Sequence, residues 1–185
     1  MKQSIYGLLL FIVLILPPVS NLLESIMIIH MHMQMPLLVL SGCLMARFLQ
    51  IRFPRFFEKW NSNGVPGIIL FVIVSVYWML PRAMDEALSE QSVELFKFFS
   101  LPFLAGISLR DSWKKLSKFG KAVIFSSYII MFFGIGWLYI FSPVQLCNNY
   151  LIIEQITLGW GFITTAICMG IYLIYLSFTD SSKYE

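Results

Sequence analysis

The sequence predicts an all-α polytopic membrane bundle of six transmembrane helices in a single integral membrane domain, and three observations predict it. Of the 185 residues, 58% are hydrophobic and only 12% charged, against roughly 45–50% and about 25% in soluble domains, so too little charge remains to build a water-facing surface. The apolar residues fall into six runs, approximately 4–19, 22–46, 65–80, 93–109, 123–141 and 155–178. Lipid offers the backbone no hydrogen-bond partner, so runs approaching the ~20 residues needed to cross about 30 Å of hydrocarbon should be helices. Third, basic residues gather in two of the intervening loops and acidic ones in the others.

The first run begins after Lys2 and extends from Ile5 to Leu16. It imitates a secretory signal, but Pro17-Pro18-Val19-Ser20 lacks a small-x-small cleavage site, so a retained span is expected. The second run carries both histidines of the chain. The third starts after the turn-forming Asn61-Ser62-Asn63-Gly64 and stops at Pro81. Lys97 and Pro102 interrupt the fourth, which makes it the weakest helix of the six. The fifth follows the Lys-rich 114–121 segment, and a polar turn from Pro143 to Asn149 separates it from the sixth.

Arg47, Arg52, Arg55 and Lys59 follow the second span, and Arg110, Lys114, Lys115, Lys118 and Lys121 follow the fourth. Basic loops face the cytoplasm, so the chain is expected in the cell membrane with both termini, Lys2 and Lys183 included, cytoplasmic. Only Arg82 and Lys97 then fall toward the outer side, which instead collects Glu24, Asp85, Glu86, Glu90, Glu94 and Glu154. Contact with anionic lipid and selection of topology explain the basic loops without nucleic acid. The partners expected are the lipid bilayer and other membrane protein subunits. No phosphate loop, Ser/His/Asp series, paired-Cys zinc spacing or repeat is visible, so neither an enzyme nor a soluble small-molecule substrate is expected.

The least ordinary segment runs from Glu24 to Pro36 and holds His30, His32, Met27, Met31, Met33 and Met35. At about 100° per residue, Glu24, Met27, His30, Met31 and Gln34 share one helix face, and His32 points the other way. A regular helix therefore cannot offer both histidines to one ion, but it can offer His30 with Met27, Met31 or Gln34. Pro36 cannot donate to the carbonyl of His32, so the backbone ladder should open there and the helix bend. Thioether and imidazole together suit Cu(I). The same residues also read as core filler, Met closing gaps and His bonding to a neighbouring helix; ionisable groups inside spans favour the functional reading.

The third span ends in Trp78, Met79, Pro81, Asp85, Ala87 and Leu88, where an aromatic anchor, a proline stop and a carboxylate meet the outer interface. Together with His30-Met31 and the Pro36-Leu37-Leu38 stretch ending in Gly42, this segment resembles the CtaG-like cytochrome oxidase assembly proteins and related small archaeal membrane proteins. The resemblance covers two short patches. Gln34 stands where that family has a second His, Met79 where it has the His after Trp, and the fourth span has none of the family's histidines. The resemblance implies a helper that supplies or inserts copper during assembly of a respiratory oxidase. Met79 keeps the capacity to ligate Cu(I), whereas Gln34 is a poorer ligand.

The expected metal set is His30, Met31, Met27 and Met79, with Asp85, Cys147 and Glu154 as auxiliaries and with Gln34 and His32 nearby. Cys147 also reads as an unpaired thiol in a structured turn, Glu154 as a carboxylate at a helix N-terminus, and Asp85 as a partner of Arg82 three residues away. Cys43, Cys147 and Cys168 are too scattered for a disulfide framework. Gly134, Gly136, Gly159, Gly161 and Gly170 are candidates for close helix packing. Trp60 and Trp113 read as interfacial anchors, and Trp137 and Trp160 lie near span ends or on packing faces. Two functions remain: handling of Cu(I) for a membrane metalloenzyme, and service as a structural subunit of a larger membrane complex with no metal of its own.

Overall fold

The computed structural model describes residues 2–179, which places Lys183 outside the described residues, and among these it is helical with no strand. The helices are α1 (Lys2–Ile15), α2 (Pro17–Glu24), α3 (Met27–Arg52), α4 (Pro54–Trp60), α5 (Val65–Met79), α6 (Pro81–Ser89), α7 (Gln91–Trp113), α8 (Lys118–Phe141) and α9 (Ile152–Phe178). Four of them, α3, α7, α8 and α9, are long and apolar enough to cross a membrane, and the number rises to six if each of two bent pairs forms one span.

Pro17 opens α2 after Ile15, and the α1/α2 pair turns by 71°; Pro54 opens α4 directly after α3, and the 85° turn from α4 to α5 falls at residues 61–64. Proline lacks the amide proton that a continuing helix needs, but it suits a first turn. Gly64 joins α4 to α5 at φ 78°, in the left-handed region that glycine enters without penalty. The first and second spans read from the sequence are corrected accordingly: residues 22–24 close α2, and the next helix starts only at Met27.

Two prolines lie inside long helices without breaking them. Upstream of Pro36 the chain widens into a π-helical turn over His30–Gln34, with Met35 N donating to His30 O. Pro102 lies within a second π-helical segment, Ser100–Gly106. A wide turn re-pairs carbonyls that a proline leaves without a donor, and such turns recur at functional sites. The fourth apolar run is thus continuous from Gln91 to Trp113 despite Lys97 and Pro102.

Helix α3 lies at the centre, packed on α1 and on α7, while α5 packs on the far side of α7. Backbones approach most closely at Gly42, where an added Cβ would lie 1.9 Å from Pro102 O, and at Gly106, where it would lie 2.3 Å from Val39 O. Helices α8 and α9 form an antiparallel hairpin through Gly136 and Gly159 and reach the remaining bundle mainly at the start of α3.

The basic loops meet at one end of the bundle. There Asp111 accepts from Gln50 Nε2 at 2.7 Å, Asn61 Nδ2 at 2.6 Å and Lys115 Nζ at 2.7 Å. Asn61 also receives Gly67 N at 2.9 Å, supplying a backbone donor at the start of α5 with a partner. This knot ties α4 and the α4–α5 turn to the end of α7.

Candidate functional site

At the opposite end, the 71° bend brings the C-terminus of α2 over the start of α3, and α7 runs alongside. Glu24 Oε1 there accepts from Lys97 Nζ at 2.6 Å, Gln34 Nε2 at 2.8 Å and Ser20 Oγ at 2.8 Å. The Lys97 side chain is 0% exposed and that of Glu24 9%, so this is a buried ion pair with two further donors on the same oxygen. Lys97 lies six residues into α7, about 9 Å along the helix axis at the usual rise. An ammonium at that depth requires a paired anion, and Glu24 is the paired anion.

His30 stands beside this pair, fully buried, with Nδ1 2.9 Å from the hydroxyl of Tyr150. That hydroxyl has one proton and donates it to Glu24 O at 2.7 Å. The His30 contact must therefore run the other way, with Nδ1–H donating to the phenol oxygen. Burial, followed by the Glu24 carboxylate, pushes the Tyr150 phenol up from its ordinary range, which keeps it protonated and in its donor role.

The same logic fixes Gln34. Its amide nitrogen must face the carboxylate, so its carbonyl oxygen faces away. His30 Nε2 and Gln34 Oε1 are both buried and both without a hydrogen-bond partner among the described residues. A second proton on Nε2 would be a buried charge with no acceptor, so the neutral ring carries its lone pair there. The cluster thus presents two unfilled acceptors on a stretch of chain whose Met27 and Met31 are also buried. Unfilled buried acceptors of this kind each forfeit about 1–3 kcal/mol and call for a ligand or a water.

The remaining soft groups lie around the other side of α3. His32 packs its ring against Phe162, 4.8 Å between centroids, and lines a cavity of about 440 Å³ with Met31, Met35, Met79, Ser75 and Tyr128. Met79 therefore shares a cavity with Met31 and His32, while His30 is not among the residues lining it. Met31 is the one methionine common to the face of His30 and the wall of that cavity.

The other sequence candidates have separate tasks. Asp85 is bonded to the turn before α9, accepting from Asn148 Nδ2 at 3.0 Å, Asn149 N at 3.0 Å and Asn149 Nδ2 at 2.8 Å. Arg82 pairs with Glu86 at 2.7 Å rather than with Asp85, because Glu86 lies one helical turn on and Asp85 is already engaged. Cys147 is buried, its Sγ 3.8 Å from Pro81 O; burial and then the Asp85 charge push its thiol up to about 12, so without a bound metal it stays a thiol at neutral pH. Glu154 accepts from Leu151 N at 3.0 Å and caps α9. Trp78, expected at the interface, is instead 1% exposed, with Nε1 donating to Ser100 Oγ at 2.8 Å. Among the described residues no group of three or more His, Cys, Asp and Glu side chains is arranged to hold a metal.

The sequence reading missed Lys97, Ser20 and Tyr150. The signal for Lys97 was present: one acid and one base, both within apolar runs, are more stable paired than apart. No local pattern pointed to Tyr150, which is 120 residues from His30. No family model, no curated protein and no solved structure matches this chain.

Proposed function

We propose that this protein is a six-span membrane protein that handles Cu(I), with His30 as the principal ligand and Met27 and Met31 as thioether partners, in the service of a membrane metalloenzyme. The bent pairs α1/α2 and α4/α5 then each count as one span, and both termini are cytoplasmic. The supporting observation is the His30 Nε2 lone pair: the ring's tautomer is set by Tyr150, it is fully buried, and no described residue donates to it. Imidazole nitrogen with thioether sulfur favours Cu(I) over harder ions. Tyr150 bonded to the far ring nitrogen orients the imidazole, the usual companion of a metal-ligating histidine.

Glu24 and Lys97 neutralise one another, so a monovalent ion adds one charge to the cluster rather than two. Met79, Met35 and His32, on the cavity that Met31 also lines, form a soft wall beside the site, suited to passing a Cu(I) ion rather than keeping it. This reading accords with the resemblance to the CtaG-like assembly proteins and with a helper's role, supplying the ion to a respiratory oxidase or a similar enzyme. Asp85, Cys147 and Glu154 take no part in it.

The test is the copper content of protein purified under reducing conditions. Near-stoichiometric copper in the native chain, lost in His30→Ala and reduced in Met31→Ala, supports the proposal. Absence of copper in the native chain, with a fixed set of membrane proteins co-purifying, would replace it with the structural-subunit reading.

A further inference from the structure

A second cavity of about 420 Å³ opens between the α8–α9 hairpin and the α3, α5 and α7 helices, nearer the basic end of the bundle. Its wall is almost entirely apolar, with Phe71, Phe125, Tyr128 and Met169 facing inward and Trp113 and Arg110 also on its lining. Arg110 is half-buried and makes no ion pair and no side-chain hydrogen bond among the described residues. The neighbouring carboxylate cannot serve it: Asp111 is already bonded to Lys115, Asn61 and Gln50. A second cation, Lys121, holds its Nζ 5.5 Å over the ring of Trp113.

An apolar slot with an unpaired guanidinium on its rim matches one chemistry, a hydrocarbon chain bearing an anionic head. The guanidinium offers a planar fork of donors suited to a phosphate. The head would lie where the basic loops predict the anionic leaflet, and the chain would run inward toward Phe71 and Tyr128. General attraction of basic loops to anionic lipid needs no slot and no fixed stoichiometry. A groove with Arg110 and Lys121 at its mouth requires both.

We propose that this groove binds a single anionic phospholipid, its phosphate on Arg110 and Lys121 and one acyl chain filling the space between the hairpin and the rest of the bundle. The site is separate from the His30 cluster, and the proposal stands or falls independently of copper.

The experiment is native mass spectrometry of the full chain released from detergent, titrated with phosphatidylglycerol or with phosphatidylcholine of the same acyl chains. One phosphatidylglycerol should be retained in preference to phosphatidylcholine. Arg110→Gln should weaken retention by about fivefold, the effect of removing one cation near a lipid headgroup. Met169→Trp, which fills the slot and leaves the cations in place, should weaken it as well. Inorganic phosphate should not compete, because the chain supplies part of the binding. Equal retention of both lipids, an unchanged Arg110→Gln, or displacement by phosphate alone would overturn the proposal. Unfolding temperatures of the two variants measured alongside distinguish loss of the site from loss of the fold: retention lost only in a variant that has unfolded counts against the groove, since the Arg110 side chain makes no ion pair or hydrogen bond among the described residues.

Discussion

Glu24 and Lys97 illustrate how a costly pair becomes indispensable once both members are buried. Removing either charge leaves the other uncompensated, and such losses typically reach about 3–5 kcal/mol. Lys97→Met and Glu24→Gln should each lower the unfolding free energy in detergent by that amount, and the double variant by less than the sum, because the second change removes the stranded charge. Additive losses would mean that the 2.6 Å contact is not an energetic pair. Cys147 gives a second expectation. With its thiol near 12 instead of about 9, burial being the main cause and the Asp85 charge the next, it should carry about a thousandfold less thiolate than a free cysteine at pH 8. The sign follows: below about 9 neither state ionises and the thiol has no effect on stability, and between about 9 and 12 the unfolded thiol ionises first and stability falls. In a chain whose other cysteines are replaced, maleimide labelling should be slow at pH 8 and become rapid on unfolding; fast labelling of the folded protein would contradict the burial.

Helix α3 holds its shape against Pro36 through a wide turn, and it holds its place against α7 through glycine. At Gly42 and Gly106 the opposing backbone lies closer than any Cβ allows, whereas Gly134 and Gly170 have nothing within 4 Å. Gly42→Ala and Gly106→Ala should therefore destabilise by about 1–3 kcal/mol through overpacking. Gly134→Ala and Gly170→Ala should be neutral or slightly stabilising, since alanine is the better helix former by up to about 1 kcal/mol. Thermal unfolding of the four variants checks this, and a loss at Gly134 as large as at Gly42 would refute it. The sequence pointed to close packing at five other glycines, of which Gly136 and Gly159 form the hairpin contact and Gly161 lies against His32 and Ile28. Small residues can be read from a sequence, but which of them meet a partner backbone depends on helix rotation, and the π-helical turns at 30–34 and 100–106 changed that rotation.

The helical class, the apolar character of the long helices and the gathering of basic loops were legible from composition and spacing, because membrane insertion depends on totals over about 20 residues. The breaks at Pro17-Pro18 and at residues 61–64 were legible too, but not that they join α1/α2 and α4/α5 as pairs bent by 71° and 85°. The sequence put Glu24 on one helix face with Met27, His30, Met31 and Gln34, but Glu24 ends α2 and reaches Gln34 across the break before Met27; the contacts with Lys97 and Tyr150 depend on long-range packing that no periodicity encodes. Asp85 had suitable chemistry but accepts from Asn148 and Asn149 in the turn before α9, and Cys147, in that turn, is buried against Pro81 O. If all six spans cross, a cysteine introduced at Glu90 should react with a membrane-impermeant reagent from outside, and one at Lys118 should not. Outside labelling at Lys118 would reverse the orientation.

The most direct measurement for His30 is X-ray absorption of the Cu(I)-loaded protein. One imidazole nitrogen with thioether sulfur in the native chain, and loss of the nitrogen contribution in His30→Ala, is the predicted result. A copper environment unchanged by that substitution, or built from oxygen, would contradict a ligand role for the buried lone pair on Nε2.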